Sequence, residues 1–109
     1  MLNQLILVGR LVKNPEVHKA ENGNTYSHIT LAIPRSYKNE DGEYDTDFID
    51  CTLWNLIATN TKAYCKRGDL IGVKGRLESK VYENDGEKKY VIEAVAEKVT
   101  FLSSKKEDK

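Results

Sequence analysis

Hydrophobic and polar residues alternate along several stretches of this chain. A period of two predicts strands, whose successive side chains point to opposite faces. Gln4–Val12 opens the series, with Leu5, Leu7 and Leu11 on one side and Ile6, Val8 and Val12 on the other. Turn residues follow at Asn14-Pro15 and at Glu21-Asn22-Gly23-Asn24. Ser27–Ile33 then sets Ile29, Leu31 and Ile33 inward, and Pro34 suits a strand end or a bulge because it cannot donate a ladder hydrogen bond. After a loop over Asn39–Gly42, the stretch Asp47–Asn55 turns Ile49, Cys51 and Leu53 toward a core. There the period breaks: Asn55 suits the N-cap of a helix running to about Arg67, with Gly68 as its stop. A long fourth strand, Leu70–Tyr82, keeps Ile71, Val73, Leu77 and Val81 on one face with Gly75 among them. Asn84-Asp85-Gly86 turns it into a fifth, Lys88–Leu102.

This order predicts an all-β domain with one helix: a five-stranded Greek-key barrel of the OB type, its helix between the third and fourth strands. Gly72 and Gly75 would let the fourth strand coil sharply. Spacing alone leaves other small all-β barrels open. The domain is expected to cover residues 1–102, and residues 103–109, SSKKEDK, form a short polar end with no reason to fold.

The outward faces carry the chemistry. Opposite Ile49, Cys51 and Leu53 stand Phe48, Asp50, Thr52 and Trp54. Asp50 and Thr52 mark that face as solvated, yet it holds two large rings, one of them the chain's only tryptophan. The outward face of the fourth strand reads Lys74, Arg76, Glu78, Lys80, Tyr82, and Tyr37 adds a ring after the second strand. Cations meet phosphates while rings stack on base faces, so this combination suits a single-stranded nucleic acid. Singly, each ring has a structural alternative: Phe48 covering a barrel end, Trp54 packing under the helix, Tyr82 serving as a cross-strand partner. Their convergence with a basic strand favours a stacking platform.

Composition refines the picture. The chain has 109 residues, 39% hydrophobic and 31% charged, which fits one globular domain with a modest core. Its formal net charge is zero, a mild argument against a polyanionic partner, but the charges are segregated. Every charge from Glu40 to Asp50 is acidic, while Lys62, Lys66, Arg67, Lys74, Arg76 and Lys80 face only Asp69 and Glu78 in the later segment. The acidic run reads as a solvated hairpin, since it lacks a calcium-loop pattern. The apolar opening MLNQLILVGRLV is short and broken by Arg10, so neither a membrane span nor a secretory signal is expected and the cytoplasm is the default compartment. Cys51 and Cys65 have no metal-ligand spacing and read as buried thiols. His18 and His28 stand apart with no nucleophile arranged around them, and Gly68, Gly72 and Gly75 do not form a phosphate-binding loop. No enzymatic activity, metal or cofactor is expected.

The ordered set NQLILVGRLVKNPEV, the Asn22-Gly23 turn, HITLAI, DFIDCTLWN, YCKRGDLIGVKGRLESKVYENDGE and KKYVIEAVAEKV resembles bacterial-type single-stranded DNA-binding proteins, from about Met1 to Leu102. The resemblance implies an OB barrel that assembles as a homotetramer, a dimer of dimers, and wraps single-stranded DNA with little sequence preference. It implies stacking at Tyr37, Phe48, Trp54 and Tyr82. Tyr37, Phe48 and Tyr82 stand where the family's best-known member has tryptophan, so the platform here is smaller. Arg35, Arg67, Lys74, Arg76 and Lys80 are the expected phosphate contacts.

A first strand apolar on both faces must bury both. The family's dimer forms by antiparallel contact of first strands, which makes Leu5, Ile6, Leu7 and Val8 the expected interface; a loop of the same chain is the alternative cover. Replication, recombination, repair or natural transformation, on the nucleoid, are the processes implied. An OB adaptor that mainly assembles protein partners, with weak DNA binding of its own, is the alternative function. Full-length members continue into an acidic, apolar tip that recruits enzymes. Here the sequence closes with a net basic SSKKEDK, as in a tailless or truncated form, so tip-mediated recruitment is not expected.

Overall fold

Alternation becomes a ladder where each strand finds a partner for its backbone groups. The computed structural model describes residues 1–103. Its elements are β1 (Leu5–Leu11), β2 (His18–Lys19), β3 (Thr25–Lys38), β4 (Tyr44–Trp54), α1 (Asn55–Tyr64), β5 (Leu70–Asn84) and β6 (Glu87–Phe101). The sheet order is β1-β5-β6-β4-β3-β2, and β1 returns to pair with β3, which closes the five long strands into a barrel. All ladders are antiparallel except a short parallel contact, Cys51 with Ala94 and Thr52 with Val95. With α1 between β4 and β5, this is the expected OB architecture.

The inward rows supply the core: Leu11, Ile29, Leu31, Cys51, Leu53, Ile71 and Val73, joined by Ala58 of α1 and by Ala94 and Ala96 of β6. Two residues assigned to that row lie elsewhere. Leu77 is 47% and Val81 54% exposed. The cause is a register shift: Lys74 faces Lys98 but Gly75 faces Ala96, which leaves Glu97 as an extra residue in β6. β1 pairs with β5 only as far as Gly75. β4 holds β6 at Ala94 and Val95, and beyond Leu77 and Ala94 the two strands run on together as a two-stranded arm whose residues are all exposed or half-buried. Alternation continues along the arm, so the pattern alone does not reveal where the barrel stops.

The β3–β4 hairpin also outruns its expected length. Pro34 sits opposite Thr46, the register then shifts, and pairing resumes at Lys38 with Tyr44. Of the two roles expected for Pro34, a strand end or a bulge, the strand end does not hold: the register shifts after Pro34 and the strand continues to Lys38. β2 was not expected: two residues, His18 and Lys19, pair with Tyr26 and Thr25 across the Ala20–Asn24 turn.

The helix ends at Tyr64, short of the end near Arg67 expected from a stop at Gly68. Cys65 is already extended, its N–H donating to Thr61 O at 2.9 Å. Asp69 accepts the Lys66 N–H at 3.0 Å, and Gly68, at φ 92°, donates to Leu11 O at 2.8 Å. The Leu11 N–H donates back to Asp69 O at 3.0 Å, so Gly68 and Asp69 are tied to β1 and not to the helix. Asn55 is not the cap either. It adopts φ 55°, a conformation asparagine tolerates, and its side-chain oxygen accepts the Thr25 N–H at 3.2 Å.

Cys51 is buried as expected, and Cys65 is half-buried. Burial, with the nearby Asp50 charge adding to it, pushes the Cys51 thiol up to about 11. Thiolate is the reactive form. Cys51 should therefore resist a disulfide reagent at pH 8 in the native protein and react only on unfolding, as stopped-flow thiol titration would register. Among the described residues no helix is long and apolar enough to cross a membrane. Of the expected polar end, residues 104–109 lie outside the described residues.

Candidate nucleic-acid interface

β3 and β4 pair from Tyr26 with Trp54 to Ala32 with Phe48. This register lays the outward rows of the two strands side by side. Phe48 is 65% and Trp54 37% exposed, so neither ring is taken up by a barrel end or by the helix. Six positions separate them along β4, about 20 Å at the rise of a strand. Tyr37 is exposed, within the stretch between Pro34 and Lys38 where the register shifts. Tyr82 is exposed on the arm, opposite Lys89.

Two of the four expected rings meet at one groove. Trp54 and Tyr82 border it together with Tyr26, His28, Lys80 and Glu93. A neighbouring cleft continues between the arm and the β3–β4 surface, lined by Tyr82, Val91 and Glu93 on one side and by His28, Thr30, Asp50 and Thr52 on the other, with Lys13. Tyr37 and Phe48 line neither. Thr52, expected to be solvated, is buried. Its hydroxyl donates to the Glu93 carboxylate and meets His28 Nδ1 at 3.1 Å. Beside it the Thr30 hydroxyl donates to Asp50 at 2.6 Å.

The cations are less free than a basic strand suggests. Arg35 grips Asp47 through Nε at 3.2 Å and Nη2 at 2.9 Å, with Asp45 at 3.8 Å. This raises the Arg35 pKa and holds the Asp47 carboxyl below its ordinary range. Arg76 donates to Glu97 at 3.0 Å and also to Glu78, while the Lys80 ammonium lies 3.1 Å from Glu78. Hydrogen bonds from Lys80 and Arg76 keep Glu78 ionised below its usual range. Lys74 is exposed, opposite Ile6 of β1 and Lys98 of β6, so it stands on the β1 side and not at the ring groove. Arg67 lies in the turn after α1, its backbone N–H on Asn14 Oδ1 at 2.7 Å, and lines neither groove.

Three rings on this surface, Tyr26, His28 and His18, have no place in the sequence-based site. Tyr26 packs at 5.6 Å from Trp54, 5.2 Å from His28 and 5.6 Å from His18, all between ring centroids. A second strand that begins at Ser27 omits Tyr26, and the histidines enter the sequence argument only as catalytic candidates. The signal is nonetheless there: Tyr26, His28 and Thr30 alternate with Ser27, Ile29 and Leu31.

A closed OB barrel with rings gathered on its outer surface defines a nucleic-acid-binding OB domain. The chain belongs to the single-strand binding protein family, whose family model matches residues 2–102. It is 44% identical to the single-stranded DNA-binding protein B of Bacillus subtilis (strain 168), with all of this chain and 97% of the relative covered. It is 43% identical to the single-stranded DNA-binding protein 1 of Clostridium acetobutylicum, over 97% of this chain and 98% of the relative. The single-stranded DNA-binding protein A of Bacillus subtilis is 44% identical over 96% of this chain, which spans 62% of that longer relative.

Proposed function

We propose that this chain coats single-stranded DNA without reading its sequence, in replication, recombination, repair or natural transformation, in the cytoplasm on the nucleoid. Bases stack on Trp54 and Tyr82, and further along on Phe48 and Tyr37. Phosphates meet Lys74 and Arg67, and also Arg35, Arg76 and Lys80 where these exchange a carboxylate for a phosphate. One observation carries the reading: Trp54 and Tyr82, from different strands, open onto one groove on the outside of an OB barrel. Family membership and the names of the relatives support the choice of single-stranded DNA as ligand. The adaptor alternative has no observation in its favour. The working unit is a homotetramer, assembled through β1.

Titration with oligo-dT tests the platform, because Trp54 is the only tryptophan and any quench reports it alone. The expected result is strong quenching by the single strand and little by a matched duplex. Trp54→Ala, which has no tryptophan left and is followed by the anisotropy of a dye-labelled oligo-dT, and Phe48→Ala should each weaken binding by about 1–3 kcal/mol, the value characteristic of single-strand-binding proteins as a class. Unchanged affinity in both variants, with the fold intact by circular dichroism, would refute the platform.

The ion pairs give a second test with a less obvious sign. Affinity should fall with salt, with a log–log slope of about −0.7 for each neutralised phosphate. Glu78 holds Arg76 and Lys80 at once. Glu78→Gln should therefore tighten binding and steepen the slope, while Lys74→Ala should make it shallower. A Glu78→Gln variant that binds more weakly at every salt concentration would show that Glu78 positions these cations and does not compete for them.

A further inference from the structure

We infer that Tyr26, flanked by His18 and His28, is an additional base-stacking subsite that leads the DNA strand from Trp54 crosswise over β2. The inference rests on the single-strand function proposed for this surface and extends its footprint. Tyr26 pairs with Trp54 on β4 and with His18 on β2. The rings His18, Tyr26 and Trp54 thus stand on three adjacent strands, in a row at right angles to the strand direction. At the spacing of neighbouring strands the row covers about 10 Å. Its contacts are tilted, with interplanar angles of 38° between His18 and Tyr26 and 49° between Tyr26 and Trp54.

A ring whose only task is to fill the core belongs on the other face of β3, where Ser27 and Ile29 are buried. Tyr26 is instead half-buried on the outer side, and it borders the same groove as Trp54 and Tyr82. A base beyond the one on Trp54 therefore meets Tyr26 next. The surroundings also suit a strand of phosphates. Lys13 and Lys19 are exposed and have no ion pair among the described residues, although Glu16 lies 3.7 Å from the His18 ring. The ligand is an unstacked base of any identity, since only its ring face is engaged.

The test uses Tyr26→Leu, which keeps apolar bulk against Trp54 but removes the ring, beside Tyr26→Phe, which keeps the ring. Both are titrated with oligo-dT of increasing length and read by Trp54 quenching. The expected result is a loss that grows with length, reaching about fivefold or more for the longer strands, and its recovery in Tyr26→Phe. An equal loss at every length, with altered Trp54 emission before DNA is added, would show that Tyr26 only props Trp54 and would overturn the subsite. No loss at any length would overturn it too. In both cases the parent protein is still quenched by oligo-dT, so the single-strand function stands. A parent that oligo-dT fails to quench sinks that function and the subsite with it.

Discussion

Gly75→Ala is expected to destabilise the fold by about 3 kcal/mol or more, the upper range for forcing atoms into a packed site. A Cβ on Gly75 would lie 2.0 Å from the carbonyl oxygen of Val95 and 2.9 Å from its carbon. Those are backbone atoms in the paired strand, so no rotamer change relieves the clash. The position is also where the register of β5 against β6 shifts, and the two strands beyond it carry Lys80, Tyr82 and Glu93, which border the groove with Trp54. Relief by re-registering would slide this arm and open the Trp54–Tyr82 groove. Urea denaturation followed by Trp54 emission measures the cost. Gly23 serves as the contrast: at φ 93° a Cβ there would meet nothing within 4 Å, so Gly23→Ala should cost only about 1–2 kcal/mol of backbone strain. Equal midpoints for Gly75→Ala and the parent would mean that the bulge is not closely packed.

The same bulge explains where the sequence was legible and where it was not. Alternation correctly placed Ile29, Leu31, Cys51, Leu53, Ile71 and Val73, because each lies in a stretch where neighbouring strands hold the pleat on both sides. Leu77 and Val81 obey the same alternation, yet a period of two records only which side of a strand a residue is on. Whether that side faces a core depends on Glu97, an extra residue contributed by the partner strand. Charge failed for a related reason. The fourth strand looked basic in a linear window, but Glu97 reaches Arg76 from β6 and Glu93 stands near Lys80. Asp47 likewise reaches Arg35 across the β3–β4 hairpin. Pairing across strands is long-range information. The rings of Phe48, Trp54 and Tyr82 were easier to read, because large apolar groups beside Asp50 or Lys80 are anomalous wherever they occur.

Val8→Glu is expected to reduce the assembled mass of the protein to half or less. β1 pairs with β5 from Leu5 to Arg10, but with β3 only at Arg10 and Leu11. On the β3 side, the backbone from Leu5 to Gly9 therefore has no strand partner among the described residues. An open strand edge is a template for another chain. Here the edge is also apolar: Ile6 is 70% and Val8 48% exposed, so no loop among the described residues covers it. Val8 further borders a groove with Ala32, Pro34 and Leu70, which extends the apolar surface. Antiparallel pairing of two β1 edges about a two-fold axis would satisfy the backbone and bury these side chains together. A glutamate at position 8 would then sit unpaired in the seam, where desolvating a charge is costly. Leu5 and Leu7, expected as contacts, pack against the core instead and can join the interface only through their backbone. That difference supplies the control: Leu7→Glu should unfold the chain, whereas Val8→Glu should leave circular dichroism unchanged and alter only the mass measured by light scattering. A parent that is a monodisperse monomer at micromolar concentration would rule out the β1 seam, as would a Val8→Glu variant that keeps the parent's mass.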